Sequence, residues 1–168
     1  YYGCSYGNYY IVNADVVDIE CTGTRYVSYT CRHSRYEISN VRDLQIDCVG
    51  NYNCPSTTWN IDGVVNPPTI LCDNACNPAS FTFSNLDTAN ISCNTAHGYA
   101  CYQMEVNSDP TTNVSVNIEC LGDGDDACLE LHGCVHGRMN MQCCGDNACN
   151  SLQFCESMNP SQLTLDCK

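Results

Sequence analysis

The sequence predicts an all-β protein, a right-handed parallel β-helix of about seven rungs with roughly 24 residues in each, stapled by disulfides. Three observations predict this fold class. A cysteine motif recurs at a nearly constant interval, apolar and polar residues alternate before each of these cysteines, and a second cysteine follows each one. Residues 1–168 are therefore expected to form a single repeat domain.

The recurring motif is an apolar residue, one further residue that is usually polar, and a cysteine. It occurs seven times, at intervals of 27, 24, 21, 27, 23 and 24 residues. A fixed pattern with a period of this length is typical of a stacked repeat array, and the repeat is too short for a pair of helices. The cysteines of the motif, here called first cysteines, are Cys21, Cys48, Cys72, Cys93, Cys120, Cys143 and Cys167.

The residues before each first cysteine indicate a strand with one buried face. The second and fourth positions before the cysteine are almost all apolar, as in Ile19 and Val17 or in Ile118 and Val116. The third position is polar in every copy, and this alternation has the period of two that a half-buried strand shows. The outward residues at the third position are Asp18, Gln45, Thr69, Asn90, Asn117, Asn140 and Thr164.

A second cysteine follows each first one after a short polar turn, and Cys4 is the second cysteine of a preceding unit. Glycine two residues after the first cysteine, as at Gly50 and Gly145, supplies the positive φ that a tight corner needs. The regular spacing predicts that the two cysteines pair across the turn. The expected pairs are Cys21 with Cys31, Cys48 with Cys54, Cys72 with Cys76, Cys93 with Cys101, Cys120 with Cys128, and Cys143 or Cys144 with Cys149.

A second apolar stretch follows each second cysteine and contains large residues such as Tyr36, Trp59 and Phe81. It predicts a second strand that packs into the same core. Stacked parallel strands lie about 4.8 Å apart, so seven rungs would form a rod of about 34 Å. Connections between parallel strands are almost always right-handed, which selects the right-handed coil.

Two further cysteines occupy the same place in successive rungs. Cys134 lies six residues after Cys128, and Cys155 lies six residues after Cys149. Side chains at equivalent positions of neighbouring rungs come within disulfide reach, so Cys134 and Cys155 are expected to form a bond along the rod. This leaves Cys4, Cys167 and one of Cys143 and Cys144 without a partner in the chain.

The phase of the two termini predicts continuation of the solenoid. The sequence starts within a turn at a second cysteine and stops just after a first cysteine, and its 168 residues equal seven repeats of 24. Joined end to end, Cys167-Lys168 and Tyr1 to Cys4 restore the turn motif. We therefore expect either a head-to-tail homopolymer with an inter-protomer Cys4 to Cys167 disulfide, or one block of a longer repeat polypeptide. Residues 1–48 carry a net charge of −2 and residues 101–168 a net charge of −8, which favours such contact.

Composition indicates a secreted, extracellular or cell-surface protein. Seventeen cysteines in 168 residues is a density typical of oxidising compartments. Asn90-Ile-Ser and Asn113-Val-Ser are N-glycosylation sequons, so N-linked glycans are expected at Asn90 and Asn113. No apolar run is long enough to span a membrane, and a net charge of −13 repels the phosphates of nucleic acids. The expected partners are other copies of the chain and glycans.

Several motifs resemble those of a known group of proteins. Cys93-Asn-Thr-Ala-His-Gly-Tyr-Ala-Cys101-Tyr102, Cys120-Leu-Gly-Asp-Gly-Asp-Asp-Ala-Cys128 and Cys144-Gly-Asp-Asn-Ala-Cys149 accompany strands like Asn-Ile-Ser-Cys. They resemble the cysteine-rich β-helix repeats of algal and protist surface proteins. That resemblance implies a secreted, glycosylated structural protein and supplies no catalytic residues.

Alternative interpretations remain open at this point. Cys143-Cys144, four residues, Cys149-Asn150 matches the terminal motif of three-finger, Ly6-like binding modules. Cys128, His132, Cys134 and His136 have spacings that zinc could use, although a disulfide with two surface histidines is favoured. The turn with Asp123, Asp125 and Asp126 could bind calcium, although a solvated turn is favoured.

An enzyme is a further alternative, because parallel β-helices also carry carbohydrate-active sites. Glu20 and Asp47 occupy equivalent outward positions on adjacent rungs and could act as an acid and base pair on a glycosidic bond. The series is interrupted by Leu71 and Ser92. The leading expectation is therefore a non-enzymatic structural protein, the protomer of a head-to-tail extracellular filament, with no cofactor and no metal. A monomeric carbohydrate-binding or carbohydrate-active β-helix is the first alternative.

Overall fold

A computed structural model describes residues 4–23, 30–50, 53–95, 99–122, 127–145, 148–156, 158 and 162–167. Over these residues the chain forms a β-solenoid of parallel strands. The strands in chain order are β1 (Asn8–Val12), β2 (Val16–Thr22), β3 (Arg35–Ser39), β4 (Asp43–Val49), β5 (Thr57–Asp62), β6 (Thr69–Asp73), β7 (Ala79–Ser84), β8 (Thr88–Thr95), β9 (Glu105–Ser108), β10 (Ser115–Gly122), β11 (His132–Cys134), β12 (Arg138–Cys144), β13 (Gln153–Phe154) and β14 (Leu163–Cys167).

The strands form two seven-stranded sheets, with one strand from each rung in each sheet. The odd-numbered strands pair in chain order to form sheet A, and the even-numbered strands form sheet B. About six turns of the coil separate β1 from β13. The predicted fold class is confirmed: the chain is an all-β, cysteine-rich, parallel solenoid. The right-handed sense of the coil stays a prediction from the crossover rule.

The register of sheet B follows the cysteine motif. Cys21 pairs with Cys48 in the β2–β4 ladder, and Cys120 pairs with Cys143 in the β10–β12 ladder. The first cysteines thus form one inward-facing column along the rod. The polar third positions form an outward-facing column. The next outward-facing column lies two residues further along each strand, as the period of two requires.

Columns of equivalent apolar residues fill the space between the two sheets. Ile46, Ile70, Ile91 and Ile118 form such a column on sheet B, and each is at most 2 % exposed. On sheet A the aromatic rings stack: centroid distances are 4.7 Å for Tyr9 and Tyr36, 4.0 Å for Tyr36 and Trp59, and 6.1 Å for Trp59 and Phe81. Burial of these side chains supplies the main favourable term for this fold.

Positive φ at the corners of the coil is not limited to the glycines that the sequence indicates. Gly50 and Gly145 have φ values of 102° and 114°, as expected. Several second cysteines also adopt this conformation, with φ values of 55° at Cys31 and 53° at Cys54, whereas Cys128 and Cys149 do not. The corners from sheet A to sheet B use asparagine, as at Asn40 with φ of 53°, because asparagine tolerates the left-handed region better than most residues.

The described residues contain seven disulfides, and each joins cysteines that the repeat pairs. Six close the turn after a sheet B strand, and Cys134 to Cys155 joins adjacent rungs on the outer side of sheet A. Cys143 rather than Cys144 bonds to Cys149, because Cys143 faces the core and Cys144 faces outward. The turn disulfides are Cys21–Cys31, Cys48–Cys54, Cys72–Cys76, Cys93–Cys101, Cys120–Cys128 and Cys143–Cys149.

We expect a non-reducing peptide map to reproduce these seven links. Native protein would be alkylated, digested at acidic residues, and fragmented so that Cys143 and Cys144 are distinguished. Cys144 should carry the label because it is a free, half-exposed thiol. A link from Cys144 to Cys149 would contradict the inward position of Cys143 in β12.

Candidate assembly ends and outer sheet face

Both ends of the described solenoid present strands with one unoccupied edge. β1 and β2 are the outermost strands of the two sheets at one end, here called the head, and β13 and β14 are outermost at the other end, here called the tail. Such edges carry backbone N–H and C=O groups that can pair with a further parallel strand. The same parallel register that joins neighbouring rungs could therefore continue at either end.

Core residues are uncovered at the head. Tyr9 and Ile11 are half-buried, whereas their register partners one rung inward, Tyr36 and Ile38, are only 3 % and 0 % exposed. The ring of Tyr9 therefore ends the aromatic stack with one side uncovered. A further rung placed on the head would bury the same columns that each inner rung buries.

The tail shows the matching pattern on sheet B. Leu165 is 48 % exposed, whereas its register partner Met141 is 2 % exposed. Leu163 is half-buried beside Met139, which is fully buried. The apolar columns therefore reach the tail with their last members partly open to solvent.

Cys4 is a free, exposed thiol at the head. Its carbonyl oxygen accepts a hydrogen bond of 2.6 Å from Ser34 Oγ, and its φ of 51° is close to the 55° of Cys31 and the 53° of Cys54. The pKa of Tyr9 is raised, first by burial and then by the neighbouring Cys4 sulfur. Cys4 thus occupies the position of a second cysteine in the repeat.

Cys167 lies on β14 at the position of a first cysteine, since its backbone pairs in register with that of Cys143. Its side chain falls outside the described residues, as do Tyr1 to Gly3 and Lys168. The inter-protomer bond from Cys4 to Cys167 therefore stays a prediction.

The outer face of sheet B carries a hydrogen-bonded ladder of asparagines. Asn140 Nδ2 donates to Asn117 Oδ1 at 2.8 Å, and Asn117 Nδ2 donates to Asn90 Oδ1 at 2.9 Å. The ladder lies in a groove of about 580 Å³ that extends from Thr69 to Thr164. These residues lie on the one outward column that the alternation predicts, but nothing in the sequence indicates the groove.

The two sequons occupy different environments. Asn90 lies in β8, is half-buried, and lines this groove. Asn113 is exposed in the connection between β9 and β10. Glycosylation at either residue stays a prediction.

The candidate acid and base pair lies where the sequence predicts. Glu20 of β2 and Asp47 of β4 are register partners, and both point outward. Gln45 Nε2 donates to Asp47 Oδ2 at 2.8 Å, and the next residue in the column is Leu71. Both side chains lie on the outer, solvent-facing side of sheet B. The enzyme alternative stays a hypothesis.

The candidate zinc group is not assembled. The sulfurs of Cys128 and Cys134 are both in disulfides, with Cys120 and Cys155 respectively, so neither is available as a thiolate ligand. Two other groups of cysteine sulfurs come within 4.8 Å of one another, but these are stacked turn disulfides of adjacent rungs. The candidate calcium ligands Asp123, Asp125 and Asp126 lie outside the described residues.

The three-finger interpretation of the Cys143-Cys144 motif is wrong for the fold. Cys143 faces inward on β12, in register with Cys120 of β10, and its bond to Cys149 closes a turn of the solenoid. The motif therefore matches because the local repeat has the same spacing. No helix in the described part of the chain is long and apolar enough to cross a membrane.

Comparison with protein families, with curated proteins and with solved structures finds no match to this chain.

Proposed function

We propose that this chain is a non-enzymatic, glycosylated structural protein that forms one unit of an extracellular β-helical filament. Algal and protist cell surfaces are the setting that the motif resemblance favours. The proposal is supported above all by the complementarity of the head and the tail. Each end has open edges in both sheets and partly uncovered members of the same apolar columns.

A second copy is the partner that fits these ends. If its tail is placed on the head, β14 precedes β2 in sheet B and β13 precedes β1 in sheet A, with the spacing of any two rungs. Leu165 of the preceding copy would then continue the column that contains Ile19, and its Cys167 would approach Cys4. Head and tail are different surfaces, so contact between them does not close and generates a filament.

The extracellular setting is supported by the disulfides. The chain of 168 residues contains seven disulfides, and such a density is typical of proteins from oxidising compartments. The net charge of −13 disfavours side-by-side aggregation of the rods.

Negative-stain electron microscopy of native material tests the proposal. We expect rods much longer than the roughly 34 Å of one seven-rung unit. Denaturing gels then distinguish the two kinds of filament. A ladder that collapses to monomer on reduction indicates the disulfide at the seam, and a high mass that survives reduction indicates a longer polypeptide.

The matched variants for the seam are Cys4→Ser and Cys144→Ser, since these are the two free cysteines among the described residues. Cys4→Ser should abolish the ladder. Cys144→Ser should leave it unchanged, because Cys144 faces outward from β12 and not toward an end of the solenoid. A monomer band without reductant, together with rods of only one unit, would contradict the filament. That result would favour the alternative of a monomeric carbohydrate-binding β-helix, which the groove on the outer face of sheet B supports.

A further inference from the structure

The groove on the outer face of sheet B contains one of the two sequon asparagines among its lining residues. We propose that this groove holds the glycan carried by Asn90, so that a neutral, hydroxyl-rich saccharide lies along the sheet instead of projecting into solvent. The inference rests on the secretory glycosylation that is part of the proposed function. It concerns the sheet face and is independent of how the rods join.

The direction of the asparagine ladder leaves the required atom available. Asn140 and Asn117 each use Nδ2 to donate to the preceding rung, and the ladder ends at Asn90 Oδ1. Asn90 Nδ2 donates no hydrogen bond to the residues that the structure describes. It is therefore the ladder nitrogen that can be modified without breaking the ladder.

Glycosylation at this atom conserves the acceptor that the ladder uses. In the transfer, a bond forms between sugar C1 and Asn90 Nδ2, and the bond from C1 to the diphosphate of the lipid-linked donor breaks. The diphosphate leaves with the electron pair, and the amide loses one proton to the base of the transferase. The product keeps Oδ1 as a carbonyl acceptor, so the bond from Asn117 persists.

The groove has the size and chemistry for a short saccharide. Its volume of about 580 Å³ falls within the roughly 300–1,000 Å³ of ligand sites. From Thr69 to Thr164 it crosses five strands, which corresponds to about 19 Å along the rod.

Polar and apolar side chains both line the groove. Its polar members beside Asn90, which are donors and acceptors for hydroxyl groups, include the amides of Asn117, Asn140 and Gln142 and the carboxylates of Glu119 and Asp166. Among the described residues, no lysine or arginine lines the groove. Carboxylates without cations disfavour anionic sugars, so the lining selects a neutral saccharide.

Asn113 provides an internal control within the same chain. It is exposed in the connection between β9 and β10 and lies outside the groove lining. A glycan there would extend into solvent, where a glycosidase can reach it. Comparison of the two sites therefore separates protection by the groove from general properties of the protein.

The experiment uses the full chain secreted from a eukaryotic cell and digested with an amidase that releases N-glycans. Site-resolved mass spectrometry would follow release from Asn90 and Asn113 in native and in denatured protein. We expect native release at Asn90 to be slower than at Asn113 by at least about tenfold, as for a protected segment, and to become equal after denaturation. Ser92→Ala and Ser115→Ala, which remove one sequon each, identify the two glycans.

A groove variant tests the contact itself. Asn140 is exposed and lies two rungs from Asn90, so Asn140→Ala should leave the fold intact and accelerate release at Asn90 alone. Equal native release from both sites would overturn the inference, as would an unmodified Asn90 beside a modified Asn113, and neither result would affect the glycoprotein proposal. An absence of glycan at both sites would overturn the glycoprotein proposal as well.

Discussion

Replacement of Trp59 with alanine is expected to lower the free energy of unfolding by about 3–5 kcal/mol, the usual cost of deleting a buried indole. Trp59 is 0 % exposed, and its ring lies between those of Tyr36 and Phe81 in the aromatic stack. The rigid strands on either side are fixed by turn disulfides, so the cavity cannot collapse easily. This substitution should therefore affect several rungs.

Urea unfolding under non-reducing conditions, followed by circular dichroism, would measure the loss. Tyr10→Ala is the control, because Tyr10 lies on the outer face of β1 and is 72 % exposed. Its effect should stay within about 0.5 kcal/mol. Equal losses in the two variants would contradict an interior position for the aromatic stack.

Trp59→Phe adds a finer test of the same stack. Trp59 Nε1 is buried and has no hydrogen-bond partner among the described residues. The phenyl ring therefore removes volume but breaks no hydrogen bond, and the neighbouring positions of the column already contain aromatic rings. We expect a smaller loss than for Trp59→Ala.

The repeat made the fold and most of the covalent structure predictable. A residue pattern with a period of two fixes which face of a strand is buried, and recurrence of Cys21, Cys48 and Cys72 fixes how the strands align. The same alternation also indicates which of Cys143 and Cys144 faces the core and can pair with Cys149. Met139 and Met141 point inward, so Cys143 must point inward as well.

Other features had no counterpart in the sequence pattern. Positive φ occurs at Cys31 and Cys54 but not at the equivalent Cys128 and Cys149, and cysteine carries no preference for that conformation. The groove beside Asn117 depends on the shape of sheet B and on side-chain torsions. Sequence patterns describe which residues share a face, but they do not describe these torsions.

Replacement of Gly137 with alanine is the second substitution with a large expected effect. Gly137 is buried just before β12 and lies against the backbone of Val114, just before β10 on the neighbouring rung. An added Cβ would lie 2.8 Å from the backbone nitrogen of Val114 and closer still to its carbonyl group. Backbone atoms in a stacked corner cannot move aside singly, so the two rungs must separate. We expect a loss above the about 1–3 kcal/mol that is typical of overpacking.

Gly133→Ala is the matched control on the same rung. Gly133 is also buried, but the atoms nearest to an added Cβ would belong to side chains: Met139 Cε at 2.9 Å, the end of a flexible side chain, and Phe154 Cδ1 at 3.0 Å. Methionine can change rotamer to accommodate a methyl group, so the loss should be about 1 kcal/mol. The urea midpoints of the two variants would be compared, with the same dependence of the unfolding free energy on urea concentration in both. If Gly137→Ala is no less stable than Gly133→Ala, the corners before β10 and β12 do not contact each other as closely as the stacked rungs require.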